Sequence, residues 1–253
     1  MKNLIVLGLM ALTFLSCNSA KETKATAETT TETLTEEIFF SATGNEPFWH
    51  LTISGKAIVF KSLADDATYT FPYTEAIKAM DANVKQYRTE NDKGKMEITI
   101  TQKECINDMS GEASPYSVTI RFKKKTGTAP TYNGCGDYQL PQRFHDIWAL
   151  EELNGKKVTL ADFTKEIPYF EINAKEKSSQ GYGGCNGLGG SLFYEPGVLR
   201  FERGMSTMRY CGDTNKENEL YAALHKVTQY SFKDTHMVLS NPNGVLVVMK
   251  KVD

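Results

Sequence analysis

The five cysteines of this 253-residue chain stand at 17, 105, 135, 185 and 211: one closing an N-terminal apolar run, two in the first half, two in the second. An odd count in an exported chain gives one cysteine a separate task, and position marks Cys17. The other four admit three pairings. Pairing within each half, Cys105 with Cys135 and Cys185 with Cys211, keeps each bridge inside one core, whereas cross-pairing couples separate cores. Each within-half bridge closes a loop of roughly 25–30 residues, worth about 3–4 kcal/mol in the chain-entropy account. An oxidising compartment lets such bridges persist. The layout therefore predicts two domains, each stapled once.

Lys2 is followed by the uncharged stretch from Leu4 to Phe14 and then by Ser16-Cys17. A basic start, a short apolar core and a small residue before the cut describe a secretory signal. The stretch is shorter than the roughly 20 apolar residues that span a bilayer. Phe14-Leu15-Ser16-Cys17 resembles the bacterial lipobox, with Phe14 where Leu is usual and Leu15 larger than the usual residue. The resemblance implies a signal peptide over 1–16 and acylation of Cys17. It also implies a lipid-anchored protein of the cell envelope, at the outer membrane on its periplasmic face or the cell surface. Two or more acyl chains anchor stably where one does not. Residues 17–37 are mostly Thr, Glu, Lys and Ala, with Leu34 the one sizeable apolar side chain. Such a segment cannot bury enough surface to fold, and it reads as a tether reaching roughly 25 Å.

Roughly 215 residues remain, enough for two compact domains. Net charge is −2 and the densest basic run is Lys123-Lys124-Lys125, which reads as a solvated strand end, so no nucleic-acid partner is expected. Phe48 to Ile53 alternates, with Trp49, Leu51 and Ile53 on one face, and Ser54-Gly55-Lys56 turns into Ala57 to Phe60. Tyr69–Tyr73, Val84–Thr89, Met96–Ile100 and Tyr116–Phe122 are further strands, and Ala76–Ala82 is a candidate short helix. Asp137 to His145 reads as the boundary. Beyond it lie strands at Ile147–Leu150, Tyr169–Ile172, Ser191–Tyr194, Val198–Glu202, Met237–Ser240 and Val245–Lys250. Between them, Asn215 to Gln229 reads as a helix with Leu220, Ala223, Leu224 and Val227 on one stripe, capped by Asn215 or Thr214. The expected fold is α+β but β-rich: domains 38–137 and 145–253, each a curved, mostly antiparallel sheet or open barrel, the second with one packed helix.

Three runs of the second half form an ordered set: Gly181-Tyr182-Gly183-Gly184-Cys185-Asn186, Ser206-Thr207-Met208-Arg209-Tyr210-Cys211 and Glu217-Asn218-Glu219. With Trp148-Ala149-Leu150 and Leu153-Asn154-Gly155 they resemble the META (HslJ-like) domain over about 145–253. That resemblance implies a strongly curved antiparallel sheet with a packed helix, a link to envelope stress, and no family-wide catalytic residues. Gly44-Asn45-Glu46-Pro47-Phe48-Trp49, Cys105 with Asp108-Met109-Ser110, and Tyr132-Asn133-Gly134-Cys135 resemble a companion domain of bacterial envelope proteins. That domain implies architecture and no particular chemistry.

Signatures of catalysis are weak. A dinucleotide fingerprint counted from Gly181 and Gly183 needs Gly where Asn186 stands, and no phosphate-loop Gly-Lys-Ser/Thr occurs. These glycines read instead as tight turns and close backbone approaches. His50, His145, His225 and His236 lack metal-ligand spacing, and no Cys-x-x-Cys occurs, so neither metal nor cofactor is expected. Met205 and Met208, near Cys211, read as packing residues rather than copper ligands. The expected function is non-enzymatic: an envelope lipoprotein with a binding or stress-tolerance role. Its partners would be the membrane, through the lipid, and a hydrophobic ligand or an envelope protein. The alternative readings are an inhibitor or decoy of an attacking hydrolase such as lysozyme, and a cryptic enzyme.

Overall fold

The computed structural model describes residues 37–212 and 215–252. Cys17, the signal segment, the tether up to Glu36 and the candidate cap Thr214 lie outside the described residues. Among the described residues no helix is long and apolar enough to cross a membrane.

The first sheet is built from β1 (Ile38–Asn45), β2 (Phe48–Ser54), β3 (Ala57–Ser62), β4 (Ala67–Pro72), β5 (Ile77–Lys78), β6 (Val84–Asn91), β7 (Gly94–Ile106), β8 (Ala113–Lys124) and β9 (Thr131–Tyr138). All pairings are antiparallel, in the order β4-β3-β2-β1-β9-β8-β7-β6-β5. Alternation decides which face turns inward. Phe40 and Ala42 on β1, Trp49, Leu51 and Ile53 on β2, and Tyr116, Val118, Ile120 and Phe122 on β8 are all buried. Aromatic rings fill the interior edge to face, as in the Tyr69–Phe122 and Phe40–Tyr138 pairs at 4.7 and 4.8 Å between centroids. The two margins meet through side chains: Thr89 Oγ1 donates to the Pro72 carbonyl at 2.8 Å, and Asn91 Nδ2 to the Thr70 carbonyl at 2.7 Å. Trp49 lies in the space that a Cβ at Gly134 would take, 2.7 Å from its Cζ2, and that Cβ would also sit 2.0 Å from the Thr43 carbonyl oxygen. Glycine at 134 is therefore a packing requirement.

The second sheet comprises β10 (Asp146–Leu153), β11 (Lys156–Lys157), β12 (Tyr169–Asn173), β13 (Ser178–Tyr182), β14 (Gly187–Glu195), β15 (Val198–Phe201), β16 (Met205–Ser206), β17 (Gln229–Lys233), β18 (His236–Asn241) and β19 (Gly244–Lys251). Its main path is β15-β14-β13-β12-β10-β19-β18-β17, with β11 on β10 and β16 on β14. The helix α1 (Glu217–Leu224) buries Leu220, Ala223 and Leu224. The β-rich fold of two curved antiparallel sheets is as the sequence implies.

Several local expectations change. Ala76–Ala82 is not helical and contributes only β5, because Ile77 and Met80 face solvent and so short a helix needs an apolar face to bury. The helix expected over Asn215–Gln229 stops at Leu224, and Gln229 opens β17, where Tyr230 and Phe232 pair across to Leu239 and Met237. Val227 is buried all the same. Lys216 is the N-cap, while Asn215 Oδ1 accepts from the Glu217 amide at 2.8 Å. In the Asp137–His145 stretch, Phe144 is fully buried against Tyr230 and Phe232, 4.8 Å from each ring.

Candidate functional site

Both sheets belong to one compact unit, and a buried carboxylate stands where they meet. Glu195 ends β14, is 6% exposed, and accepts hydrogen bonds from Tyr116 Oη at 2.5 Å, Lys85 Nζ at 2.7 Å and Asn83 Nδ2 at 2.7 Å. Burial raises its pKa, but the bonds from Lys85, Tyr116 and Asn83 outweigh that and hold the carboxyl below its ordinary range. Burial, reinforced by the Glu195 charge, pushes the Tyr116 phenol upward. Lys177 pairs with Asp137 across the same junction. The network ties the sheets together, and both oxygens of the Glu195 carboxylate are satisfied within it. Nothing in the sequence singled out Glu195, since Tyr194-Glu195-Pro196-Gly197 reads as an ordinary solvated turn.

In the second half the expected bridge Cys185–Cys211 is formed, with Cα atoms 5.8 Å apart. The three motif runs converge on it through two side chains. Glu217, 4% exposed, accepts the amides of Cys185 at 2.9 Å and Asn186 at 2.6 Å on Oε2, and Asn186 Nδ2 at 2.7 Å on Oε1. Asn186, also 4% exposed, accepts the Arg209 amide at 2.7 Å and the Thr207 hydroxyl at 2.8 Å, and returns Nδ2 to the Arg209 carbonyl at 3.2 Å. Gly183 leaves these side chains room: a Cβ there would sit 2.8 Å from Glu217 Oε2 and 2.6 Å from Tyr221 Oη, and both would have to shift. Cys185, Cys211 and Glu217 are close enough to resemble a metal site. Both sulfurs are spent in the bridge, however, and the carboxylate is filled with N–H donors, so the chemistry is that of a clasp. Met205, on β16, and Met208, beyond its end, do not pack: they are 87% and 98% exposed. A small cavity of about 80 Å³ lies beside β16, lined by Leu188, Phe201 and Leu224 among others.

The sequence profile of one family fits this half. Residues 138–253 match the META domain. The matched range contains the whole clasp just described. No curated protein and no solved structure matches the chain.

The first half is arranged differently. Cys105–Cys135 is also formed, with Cα atoms 5.4 Å apart. Cys135 pairs opposite Ser117 of β8 and Cys105 opposite Ser114, with a register shift in β7 between Gln102 and Cys105. The bridge thus carries the tip of the β7–β8 hairpin over the outer face of β8 towards β9. Beneath it opens a cleft of about 500 Å³. Its floor is the outer face of three neighbouring strands: Thr43 and Asn45 of β1, Asn133 of β9, and Ser117 and Thr119 of β8. Its roof is Ile106 to Met109. Asn107 shapes the roof, its Oδ1 accepting the Met109 amide at 3.0 Å, the Ser110 amide at 3.1 Å and Asn45 Nδ2 at 2.8 Å. The residues of the Gly44–Trp49, Asp108–Ser110 and Tyr132–Cys135 runs are therefore shared between two faces. Trp49 packs the interior against Gly44 and Gly134, whose backbones also reach the cleft, while Asn45, Asp108, Met109 and Asn133 border it. Sequence reading brought the cysteines out but not Asn107 or the floor hydroxyls, which look like any solvated strand face.

Proposed function

We propose that this chain is a lipid-anchored, non-catalytic binding protein of the bacterial cell envelope that supports tolerance of stress. The META domain points to an envelope-type function of the stress-related or binding kind. Cys17, with its lipobox-like context, supplies the anchor. The observation that carries the reading is the cleft of the first half, a recess of about 500 Å³ with both polar and apolar walls under a disulfide-bridged hairpin tip. That volume lies inside the roughly 300–1,000 Å³ range of small-molecule sites. Two other recesses reach that range. One, of about 360 Å³, lies beside Asn186 and Glu217, whose side chains are already spent on the clasp. The other, of about 500 Å³, has walls that come from a single hairpin, residues 102–104 and 113–115. The cavity beside β16, at about 80 Å³, is well below that range.

Deleting the gene and challenging cells with heat and a hydrophobic antibiotic tests the stress role; survival equal to the parent strain sinks it. Intact-mass measurement of protein extracted from its own membrane tests the anchor. An acylated N-terminal Cys17 is expected, and an unmodified chain in the soluble fraction would remove it.

A further inference from the structure

We infer that the cleft over β1, β9 and β8 takes a neutral saccharide. Four properties of the recess select that chemistry. First, β1, β9 and β8 lie inside the strand order, with β9 laddered to β8 from Tyr116↔Gly136 to Arg121↔Thr131 and to β1 from Phe40↔Tyr138 to Thr43↔Cys135, beyond which Gly44 still packs against the Asn133 carbonyl. An extended peptide therefore meets no open sheet edge here, and the floor faces a ligand mainly with side chains. Second, among the described residues no lysine or arginine lines the cleft, and Glu46 and Asp108 stand at it, so an anionic ligand is repelled. Third, a wholly apolar ligand would strip water from Thr43, Asn45, Ser117 and Asn133 and return no hydrogen bonds.

The fourth property is positive. Hydroxyl and carboxamide side chains each donate and accept, which matches the paired donor and acceptor character of sugar hydroxyls. Asn107 spends its oxygen on Asn45 and the loop amides, leaving its NH₂ as a donor. Asn133 spends its oxygen on Thr119 Oγ1 at 3.0 Å and keeps its own NH₂. Apolar side chains flank this polar floor: Ile106 and Met109 on the roof are exposed, as is Phe48, the cross-strand neighbour of Asn45. A pyranose ring carries both kinds of surface, C–H groups on its faces and hydroxyls on its rim. What distinguishes this patch from any polar sheet face is the bridged hairpin tip, which fixes the roof over the floor before a ligand arrives.

Because this rests on the chain being a binding protein, the test must separate the two. Full-length protein purified in a detergent without a sugar headgroup is probed on an array of neutral mono- to tetrasaccharides of hexose and N-acetylhexosamine units. The strongest hit is then titrated while the side-chain amide NMR signals of Asn45, Asn107 and Asn133 are followed. Saturable binding with Kd of about 1 mM or tighter is expected. Asn133→Ala and Thr43→Val should each weaken it about tenfold, with melting unchanged. The saccharide assignment falls if no neutral sugar binds, if both variants bind like the parent, or if trialanine moves the same amide signals equally. The variants are also returned to stressed cells. Lost tolerance without saccharide binding keeps the binding-protein reading and discards the sugar. Intact tolerance in variants that no longer bind sugar keeps the sugar and discards the stress role.

Discussion

Each half of the molecule has a disulfide with an asparagine beside it, and the two asparagines work in opposite directions. Asn186 faces inward, and its side chain is saturated by Glu217, Thr207 and Arg209. Asn107 turns a surface loop and leaves its amide towards an open recess. The same pairing of a cysteine with a nearby Asn thus builds a clasp in the META half and a cleft in the first. Motif residues report structure where they are buried and saturated; where they face solvent with capacity left over, they point to a ligand.

Removing the bridges should have the largest effect and should separate the halves. The loops span 30 and 26 residues, so each bridge contributes about 3.5 kcal/mol if it acts through the unfolded chain. Cys185→Ser with Cys211→Ser should exceed that figure, since it also frees the loop held by Asn186. Cys105→Ser with Cys135→Ser should stay near it but abolish ligand binding as the roof detaches. Chemical denaturation of the two double variants checks this, and equal losses would remove the distinction.

Next in size is the clasp itself. Glu217→Ala leaves the Cys185 and Asn186 amides buried without an acceptor, and about 3 kcal/mol of destabilisation is expected. In a chain of this size that lowers Tm by roughly 6–12 °C. A shift under about 2 °C would mean that water replaces the carboxylate and that the site is open rather than closed.

How much of this was legible follows from where each interaction lies along the chain. β2 and β8 could be read because Trp49-Leu51-Ile53 and Tyr116-Val118-Ile120-Phe122 alternate within their own segments. β13 could not: Ser178 to Tyr182 has no apolar alternation and is a strand only because β12 and β14 flank it. β9 was hidden by Gly134 and Gly136, whose missing side chains make room for Trp49 and Phe40. The bridges were legible as pairs within halves, whereas Glu195 was not, its partners being 79 to 112 residues away. The cleft was invisible for a related reason: outward hydroxyls and amides become a site only when a hairpin tip is folded over them.

The junction between the halves offers a smaller and pH-dependent test. The Glu195 carboxyl has its pKa lowered from the ordinary 4.5 on folding. A depressed carboxyl pKa contributes stability that is fully present above the unfolded value and is lost as pH falls through the folded one. Stability attributable to Glu195 should therefore be constant above about pH 5.5 and decline below about pH 4.5. Glu195→Gln keeps the shape but not the charge, and should cost about 1–2 kcal/mol at pH 7 and flatten the acid limb of the profile. If that limb is unchanged, other carboxylates such as Asp65, held at about 2 by Lys124 and Tyr69, govern acid unfolding.

The smallest expected effect, that of Asn133→Ala set beside Asn186→Ala, carries the comparison furthest. Asn186→Ala removes a buried side chain whose oxygen and amide both have protein partners, and should cost about 2–3 kcal/mol. Asn133→Ala removes an exposed one whose single side-chain partner among the described residues is the Thr119 hydroxyl, and should change stability by less than about 0.5 kcal/mol. Thermal melting of the two variants side by side decides whether the halves differ as described. A costly Asn133→Ala would make the first half a second clasp, with its asparagines present for the fold. A neutral one leaves Asn133 with no structural reason for facing the recess, and the amide is then free to meet a ligand.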